Sequence, residues 1–261
     1  MKISQIPWQH FQQFGRLHAV FQPIISLDSA QIIAYEALSR PYSESNQALS
    51  IEQVIAGAEA AHQLEQFDRM AYGNIIQQTQ VMIWPATLRP FLNIQPGSLP
   101  NSHELLHWIL HHPVLSSKQF VLEVSERDTL YGQEAAIRKF LQPFRDHGVQ
   151  IAIDDLGAGY SGLNRLIALM PEFAKLDLSI IRNIDTTSDK YAMVESIVRF
   201  AQQSGPIDLI AEGIETWSEL RTLQDLGVPY GQGYLLGYPA ENLDPLPSLT
   251  ARQMRQPLPH R

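Results

Sequence analysis

Polar side chains, most of which can bind a cation, lie in or directly after short apolar segments at several points along the 261-residue chain. In one of them, Ile151 to Ile153 leads directly into Asp154 and Asp155. A single acidic residue in such a place usually caps the next helix or meets solvent. The repetition of this ending in segment after segment indicates a common site instead. The polar residues concerned are Glu36, Asn93, Glu123 with Glu126, Asp154 with Asp155, Lys175 with Asp177, Glu212 with Glu215, and Gln232.

These residue types predict a metal centre with oxygen ligands. Carboxylates that converge repel one another, so they stay ionised together only beside a cation. The chain has no cysteine, which excludes thiolate ligands, and carboxylate and amide oxygens favour Mg or Mn over Zn or Cu. The adjacent Asp154 and Asp155 are suited to bridging two cations. Lys175, inside an apolar segment, needs counter-charges that the same carboxylates can supply.

The segments that carry these residues are predicted strands. Several are too continuously apolar to have one wet face, which indicates a covered, largely parallel sheet. About eight strands in a chain of this length favour a TIM-like α/β barrel, where the carboxyl ends of the strands meet at one mouth. The predicted strands span 19–26, 32–38, 91–94, 119–124, 149–154, 173–176, 208–211 and 231–235, and the predicted helices span 51–66, 71–81, 102–110, 134–147, 190–203 and 218–226.

The first two strands predict an irregular start to the barrel. Only Leu27 to Gln31 separate them, which is typical of a hairpin and too short for a helical crossover. A doubly wound open sheet is the alternative, but no glycine-rich phosphate turn follows the first strand. We expect a short N-terminal extension at 1–16, the barrel domain at 17–242, and a proline-rich tail at 243–261 beyond the last packed element.

Composition limits the class of partner. The chain has 27 acidic and 19 basic residues and a formal charge of -8, so it offers no electrostatic basis for binding DNA, RNA or an anionic membrane. No apolar run approaches the roughly 20 residues needed to cross a bilayer, and the N-terminus lacks the apolar core of a secretory signal. We therefore expect a soluble, cytoplasmic protein in which any phosphate-bearing substrate is held by local positive charge.

The ordered motifs resemble the EAL domain, the family of cyclic di-GMP phosphodiesterases. The resemblance runs from about Ala19 to Pro239, which is most of the chain. It is carried by Phe21-Gln-Pro-Ile-Ile25, Tyr35-Glu-Ala-Leu-Ser-Arg40, Leu92-Asn-Ile94, Glu123-Val-Ser-Glu126, Asp154-Asp-Leu-Gly-Ala-Gly-Tyr-Ser161, Lys175-Leu-Asp177, Ala211-Glu-Gly-Ile-Glu-Thr216, and Gln232-Gly-Tyr234 with Gly237 and Pro239.

This resemblance implies a modified TIM barrel with an antiparallel first strand, and hydrolysis of cyclic di-GMP to linear pGpG with two Mg or Mn ions. It also implies a role for individual residues. Lys175 would orient the attacking water or neutralise the transition state, and Gln232 would assist at the same place. Glu126 would position the loop after Asp155. The implied ligands are Glu36, Asn93, Glu123 and Asp154 for the first cation and Asp154, Asp155 and Glu212 for the second, and the implied substrate contacts are Gln22, Leu38, Arg40, Asp68 and Glu215.

The loop after the paired aspartates departs from the family pattern. The family has Phe, Thr and Ser where this chain has Leu156, Ala158 and Gly162, and many members have Ser in place of Gln95. In the family this loop positions the metal aspartates and couples dimerisation to activity, so we expect altered turnover or regulation. Because the ligands and Lys175 are retained, we predict an active enzyme. We also expect a homodimer, with control by dimerisation or by a separate regulatory protein.

Three other interpretations are open at this stage. The barrel could bind cyclic di-GMP or a protein without cleaving it, although relatives with that role typically lose metal carboxylates. A generic barrel enzyme for another phosphodiester or a sugar phosphate would leave Gln22 and Arg40 unexplained. His103-Glu-Leu-Leu-His107 fits the H-E-x-x-H pattern of zinc proteases, but no metzincin extension follows it. Incidental Zn or Ni binding by this histidine row, which continues to His111 and His112, is the simpler expectation.

Overall fold

Eight strands form one closed barrel in sequence order. The computed structural model describes residues 6–94, 103–125, 133–157, 162–205, 207–243 and 248–254. The strands are β1 (Arg16–Ser26), β2 (Ile32–Tyr42), β3 (Arg89–Ile94), β4 (Val121–Ser125), β5 (Gln150–Leu156), β6 (Phe173–Leu176), β7 (Asp208–Ala211) and β8 (Tyr230–Gly231). β1 pairs antiparallel with both β2 and β8, and the other neighbouring strands are parallel. The predicted barrel with a reversed first strand is confirmed.

Helices surround this barrel. Within the described residues they are α1 (Trp8–Phe14), α2 (Ile51–Ala60), α3 (Leu64–Val81), α4 (His103–Leu110), α5 (Glu134–Asp146), α6 (Gly162–Leu169), α7 (Leu178–Ile181), α8 (Ser188–Ser204), α9 (Trp217–Asp225) and α10 (Ser248–Met254). The predicted helices 51–66 and 71–81 are wrong in their division. The chain breaks between α2 and α3, where His62 adopts a left-handed φ of 54°, and then stays helical to Val81.

Among the described residues the core consists of three apolar clusters. Side chains inside the barrel form a closed apolar cluster that includes Phe91 and Phe173, whose rings lie 5.1 Å apart. A larger cluster fills the space between the outer surface of the sheet and the helices. A third cluster joins α1 to α2 and α3 through Trp8, Phe11 and Phe67. The described part of the predicted extension at 1–16 is therefore packed, since Trp8 and Phe11 are buried.

The last strand is shorter than predicted. β8 has two residues, whereas the prediction extended to Leu235. The chain turns instead, with the Leu236 amide donating to the carbonyl oxygen of Gly233. A Cβ at position 233 would lie 2.2 Å from the backbone nitrogen of Ile214, so glycine permits this close approach. The turn directs Gln232 into the mouth of the barrel.

The predicted tail at 243–261 also contains a packed element. In α10 Met254 is buried, and the Arg221 guanidinium donates to the backbone carbonyl of Met254 at 3.0 Å. Burial of this apolar side chain, together with the hydrogen bond, holds α10 on α9. The expectation that the packed structure ends before residue 243 is therefore wrong for 248–254. No helix among the described residues has both the length and the apolar character to cross a membrane.

Candidate metal and phosphodiester site

The inward positions of the strands place the polar residues at one end of the barrel. Side chains two residues apart in a strand point to the same face. In or directly after each of the strands β1 to β7, one inward apolar residue lies two positions from a polar one, as with Phe91 and Asn93. The apolar layer is Ile24, Ala34, Phe91, Val121, Ala152, Phe173 and Ile210. The polar layer is Gln22, Glu36, Asn93, Glu123, Asp154, Lys175 and Glu212.

Gln22 belongs to this layer because β1 is reversed. In the parallel strands the polar residue follows its apolar neighbour, whereas Gln22 precedes Ile24. Gln22 is paired in register with Glu36 of β2. Its side-chain amide donates to the Gly237 carbonyl at 3.1 Å, which fixes the turn after β8 to the mouth.

Lys175 lies at the centre of the polar layer and is fully buried. Its Nζ is 2.7 Å from Glu212 Oε1 and 3.2 Å from Glu36 Oε2. It is also 3.2 Å from Glu123 Oε1 and 3.3 Å from Asp154 Oδ1. One ammonium therefore contacts carboxylates from four other strands or strand ends, which brings together residues that the sequence predicted to converge.

Two side-chain amides fix the orientation of Glu36. Asn93 Nδ2 donates to Oε1 at 3.0 Å, and Gln232 Nε2 donates to Oε2 at 2.7 Å. Gln232 also lies 3.5 Å from Glu212 Oε1. The amide oxygen of Asn93 is left to act as an acceptor or a cation ligand.

The paired aspartates depend on an irregularity of β5. The register between β5 and β6 shifts between Ile153 and Leu156, and Asp155 adopts a left-handed φ of 61°. In a regular strand consecutive side chains point to opposite faces, so this distortion lets both aspartates serve one site. Carboxylate oxygens of Asp154, Asp155 and Glu212 lie within 4.8 Å of one another and could hold a cation.

The charges of the site are strongly coupled. Burial raises the pKa of Glu123 well above its usual value, and the neighbouring carboxylates add to the rise against the opposing effect of Lys175. Burial likewise raises the pKa of Glu212 to about 8. Burial also acts to raise the pKa of Glu36, but Lys175 with the Gln232 and Asn93 hydrogen bonds outweighs it and lowers that pKa. Burial disfavours the charged Lys175, yet the surrounding carboxylates raise its pKa well above the usual value.

The residues fit hard divalent cations. Glu123 is fully buried; Oε1 has only the ion contact with Lys175, and Oε2 has no hydrogen-bond partner among the described residues. A buried carboxylate that shares one ammonium with three other carboxylates needs a further cation or a proton to offset its desolvation. Lys175 supplies one positive charge to a cluster of five carboxylates, so negative charge remains in excess. The donor set consists of oxygens, which suits Mg or Mn.

Two clefts flank the carboxylate cluster. One, of about 250 Å³, contains Leu38, Arg40 and Asp68 and reaches the cluster at Asn93. The other, of about 230 Å³, contains Gln22 and Glu215 and reaches the cluster at Glu212 and Gln232. The residues expected to contact substrate therefore line two separate clefts, one on each side of Glu36 and its hydrogen-bond partners.

The protease pattern does not form a comparable centre. Glu104 is paired with Arg69 at 2.6 Å, and His103 and His107 are exposed on α4. A metalloprotease needs this glutamate free to act as the general base. The geometry therefore favours the site at the barrel mouth.

Comparison with known families agrees with the geometry. The family model described as the EAL domain matches residues 8–239. The chain belongs to the EAL domain family. Among solved structures, the manganese and cyclic di-GMP complex of BlrP1 from Klebsiella pneumoniae at pH 6 is 28% identical, with a TM-score of 0.77 over 94% of this chain and 61% of that chain. The c-di-GMP complex of PaMucR phosphodiesterase is 26% identical, with a TM-score of 0.76 over 89% of this chain and 94% of that chain.

Curated relatives of this EAL domain are longer proteins. The protein named probable cyclic di-GMP phosphodiesterase PdeD, from Escherichia coli strain K12, is 28% identical over 84% of this chain and 40% of its own length. The uncharacterized protein y4lL of Sinorhizobium fredii is 29% identical over 92% of this chain and 28% of its own length. The chain thus spans less than half of the length of either relative.

Some residues of the EAL domain pattern fall outside this description. Glu126 and Ala158 lie outside the described residues, so their expected roles stay predictions. Leu156 is buried at the end of β5. Sequence reasoning missed Arg182, which lines the cleft with Gln22 and pairs with Glu215. No sequence pattern indicated Arg182, because its partner lies 33 residues away along the chain.

Proposed function

We propose that this EAL domain hydrolyses cyclic di-GMP to linear pGpG. The observation that carries the proposal is the convergence of carboxylates on the buried Lys175 at the mouth of the barrel. Such a cluster is suited to cleaving a phosphodiester, a reaction in which cations offset charge on the attacking and leaving oxygens. Binding of cyclic di-GMP by the related BlrP1 and PaMucR supports the choice of substrate.

The two flanking clefts support a ligand with two similar halves. Cyclic di-GMP carries two guanine bases on a ring closed by two phosphodiesters, so a ring across the cluster would direct one base into each cleft. Leu38, Arg40 and Asp68 would contact one half. Gln22 and Glu215 would contact the other, with Arg182 holding the Glu215 carboxylate.

Two divalent cations, Mg or Mn, would complete the site. Glu36, Asn93, Glu123 and Asp154 would hold the first, and Asp154, Asp155 and Glu212 the second. When bound, such cations lower the pKa of coordinated water and offset charge that develops on the phosphate. The Oε2 atom of Glu123, which has no partner among the described residues, and the close group of Asp154, Asp155 and Glu212 support this assignment.

The protein side chains would orient the reactants. Lys175 would donate from its ammonium to the attacking water or to a phosphate oxygen, since it contacts four of the proposed ligand carboxylates and stays charged. Gln232, already within hydrogen-bond distance of Glu36, would hold the water against the same group. Glu126 would position the loop that follows Asp155.

A pair of variants on one strand tests the proposal. The purified protein should convert cyclic di-GMP to pGpG in the presence of Mg or Mn, measured by chromatography of the products. Replacing a residue that only hydrogen-bonds to a metal ligand lowers activity roughly 10–100-fold. Glu212→Gln removes a proposed ligand itself, so it should lower kcat by a larger factor. Asp208→Asn, at the other end of β7, should leave turnover unchanged. Binding of cyclic di-GMP without cleavage by the wild-type protein in either metal would instead support a receptor.

Association of two copies is part of the proposal. The exposed apolar side chains of Ile167 in α6 and Met170 directly after it support a homodimer, and a separate regulatory protein is the other candidate for control. Light scattering and specific activity should be followed together across protein concentration. Activity per molecule that stays constant while the oligomer dissociates would contradict regulation by dimerisation.

A further inference from the structure

The histidines of α4 lie outside the barrel site. His103, His107 and His111 are spaced four residues apart, and residues at this spacing share one face of a helix. All three are exposed, whereas Leu106 and Ile109 of the same helix are buried. The apolar residues attach α4 to the protein, so the histidine face has no part in the core.

His107 and His111 form the closest pair of this row. Their ring centroids lie 4.1 Å apart with an interplanar angle of 33°. His111 Nδ1 is 2.8 Å from the backbone carbonyl oxygen of His107. A carbonyl oxygen only accepts, so Nδ1 of His111 carries the proton and donates it. Nε2 of the neutral ring then carries an available lone pair. Metal-bound histidines usually have the same arrangement, in which the other ring nitrogen donates to a carbonyl or carboxylate oxygen.

No hydrogen bond from the described part of the chain occupies the remaining ring nitrogens of the pair. Those nitrogens are Nε2 of His111 and both ring nitrogens of His107. Two neutral imidazoles on adjacent helical turns can bind one metal ion from the same side, as the two histidines of an H-E-x-x-H helix do.

We propose that His107 and His111 chelate a late first-row divalent ion, Cu, Ni or Zn, on the outer face of α4. Imidazole nitrogen favours these ions, and affinity for a nitrogen site rises along the series to Cu. The oxygen ligands at the barrel mouth favour Mg or Mn. The chain therefore carries two sites of different metal preference, and this inference is independent of the proposed phosphodiesterase activity.

The site binds an ion but is not built for hydrolysis. Glu104, the residue that would be the general base, is paired with Arg69 at 2.6 Å. Water would supply the other ligands, because among the described residues the one group of three or more metal-binding side chains is at the barrel mouth. Two protein ligands and water make an exchangeable site.

His147 provides a matched control. Its Nδ1 lies 2.8 Å from the carbonyl oxygen of Pro143, four residues earlier, so its ring is held in the same way as that of His111. It is also exposed, but the residue four positions earlier is proline and brings no second imidazole. His147 thus reproduces the local geometry of His111 without the chelate.

Copper binding to the whole protein tests the proposal. Excess Mg should be present to occupy the carboxylates at the mouth while Cu is titrated and its electron paramagnetic resonance spectrum is recorded. The wild-type protein should show a tight Cu site with the splitting of two imidazole nitrogens. His107→Gln should lower the affinity of that site by roughly 100-fold, since it removes one arm of the chelate. His147→Gln should leave affinity and spectrum unchanged.

The opposite results would overturn the proposal. A two-nitrogen spectrum that persists in His107→Gln would place Cu elsewhere. Equal loss of affinity in His107→Gln and His147→Gln would show that single surface histidines bind independently. Circular dichroism of each variant separates loss of the site from loss of the helix, and phosphodiesterase activity in Mg should be the same in all of them.

Discussion

Cation binding at the barrel mouth should release protons, and Glu212 should supply a defined share of them. Burial raises the pKa of Glu212 from 4.5 to about 8 in the metal-free protein. At pH 7 this carboxyl is then about 0.9 protonated, and at pH 9 about 0.1 protonated. A metal ligand must be deprotonated, so binding expels this proton. Glu212→Gln should therefore reduce proton release by about 0.9 at pH 7 and by about 0.1 at pH 9.

The measurement is isothermal titration calorimetry with Mn in buffers of different ionisation enthalpy. The slope of the apparent enthalpy against the buffer enthalpy gives the number of protons released. Each variant is titrated to saturation, because the loss of a ligand weakens binding. Asp208→Asn is the control, since the Asp208 carboxyl is also partly buried on β7 but lies at the far end of the barrel. It should release as many protons as the wild-type protein.

The same raised pKa fixes the sign of a stability effect. A carboxyl whose pKa is higher in the folded state stabilises the fold fully below the unfolded value of 4.5, and this contribution is lost as the pH rises through about 8. The metal-free protein should lose stability over that interval, and Mn should restore it. Equal proton release by the wild-type protein and Glu212→Gln at pH 7 would refute the assignment of Glu212 as a protonated ligand.

Three further predictions concern other parts of the structure. Lys175→Met should lower the free energy of unfolding of the metal-free protein by about 3–5 kcal/mol, because it leaves buried carboxylates without their cation; the exposed Lys139→Met should change it by less than about 0.5 kcal/mol in the same urea titration. Gly237→Ala would place a Cβ 2.5 Å from Pro23 Cγ, so the turn that holds Gln22 should shift, with a stability loss of about 1–3 kcal/mol and a higher KM for cyclic di-GMP. An unchanged KM would count against a role of that turn in binding. Burial lowers the pKa of His112, so its contribution to stability is complete above about pH 6.5 and is lost as the pH falls below that value. His112→Gln should flatten the acid side of the stability curve, and an identical slope in both proteins would contradict the reasoning.

The positions of the site residues could be predicted because each lies in or directly after a short apolar segment that is typical of a strand. Polar residues at the carboxyl ends of parallel barrel strands meet at one mouth. This placed Glu36, Asn93, Glu123 and Lys175 together from the sequence, and the structure brings them to one centre. It required no knowledge of the strand register, since all parallel strands of a barrel end at one mouth.

Other features depend on contacts between distant segments. No glycine or proline lies at the break between α2 and α3, where His62 has a positive φ, so the sequence contains no local signal for it. The turn after β8 depends on the close approach of Gly233 to Ile214. The helix α1 has no side-chain cap and no acidic residue in its first turn. Its stability comes from burying Trp8 and Phe11, which local propensity does not report.

The reversed direction of β1 determines at which end of the barrel the segments before and after it lie. Because β1 is antiparallel to β2, its first residue, Arg16, lies beside Tyr42 near the mouth, while its last residue, Ser26, lies at the opposite end. The helix α10, in contrast, packs at that opposite end, because the side-chain amide of Gln224 in α9 donates both to the carbonyl oxygen of Met254 in α10 and to that of Leu27, directly after Ser26. A domain fused ahead of α1 would therefore lie at the face that carries the carboxylate cluster, and a label attached after α10 would be held away from it.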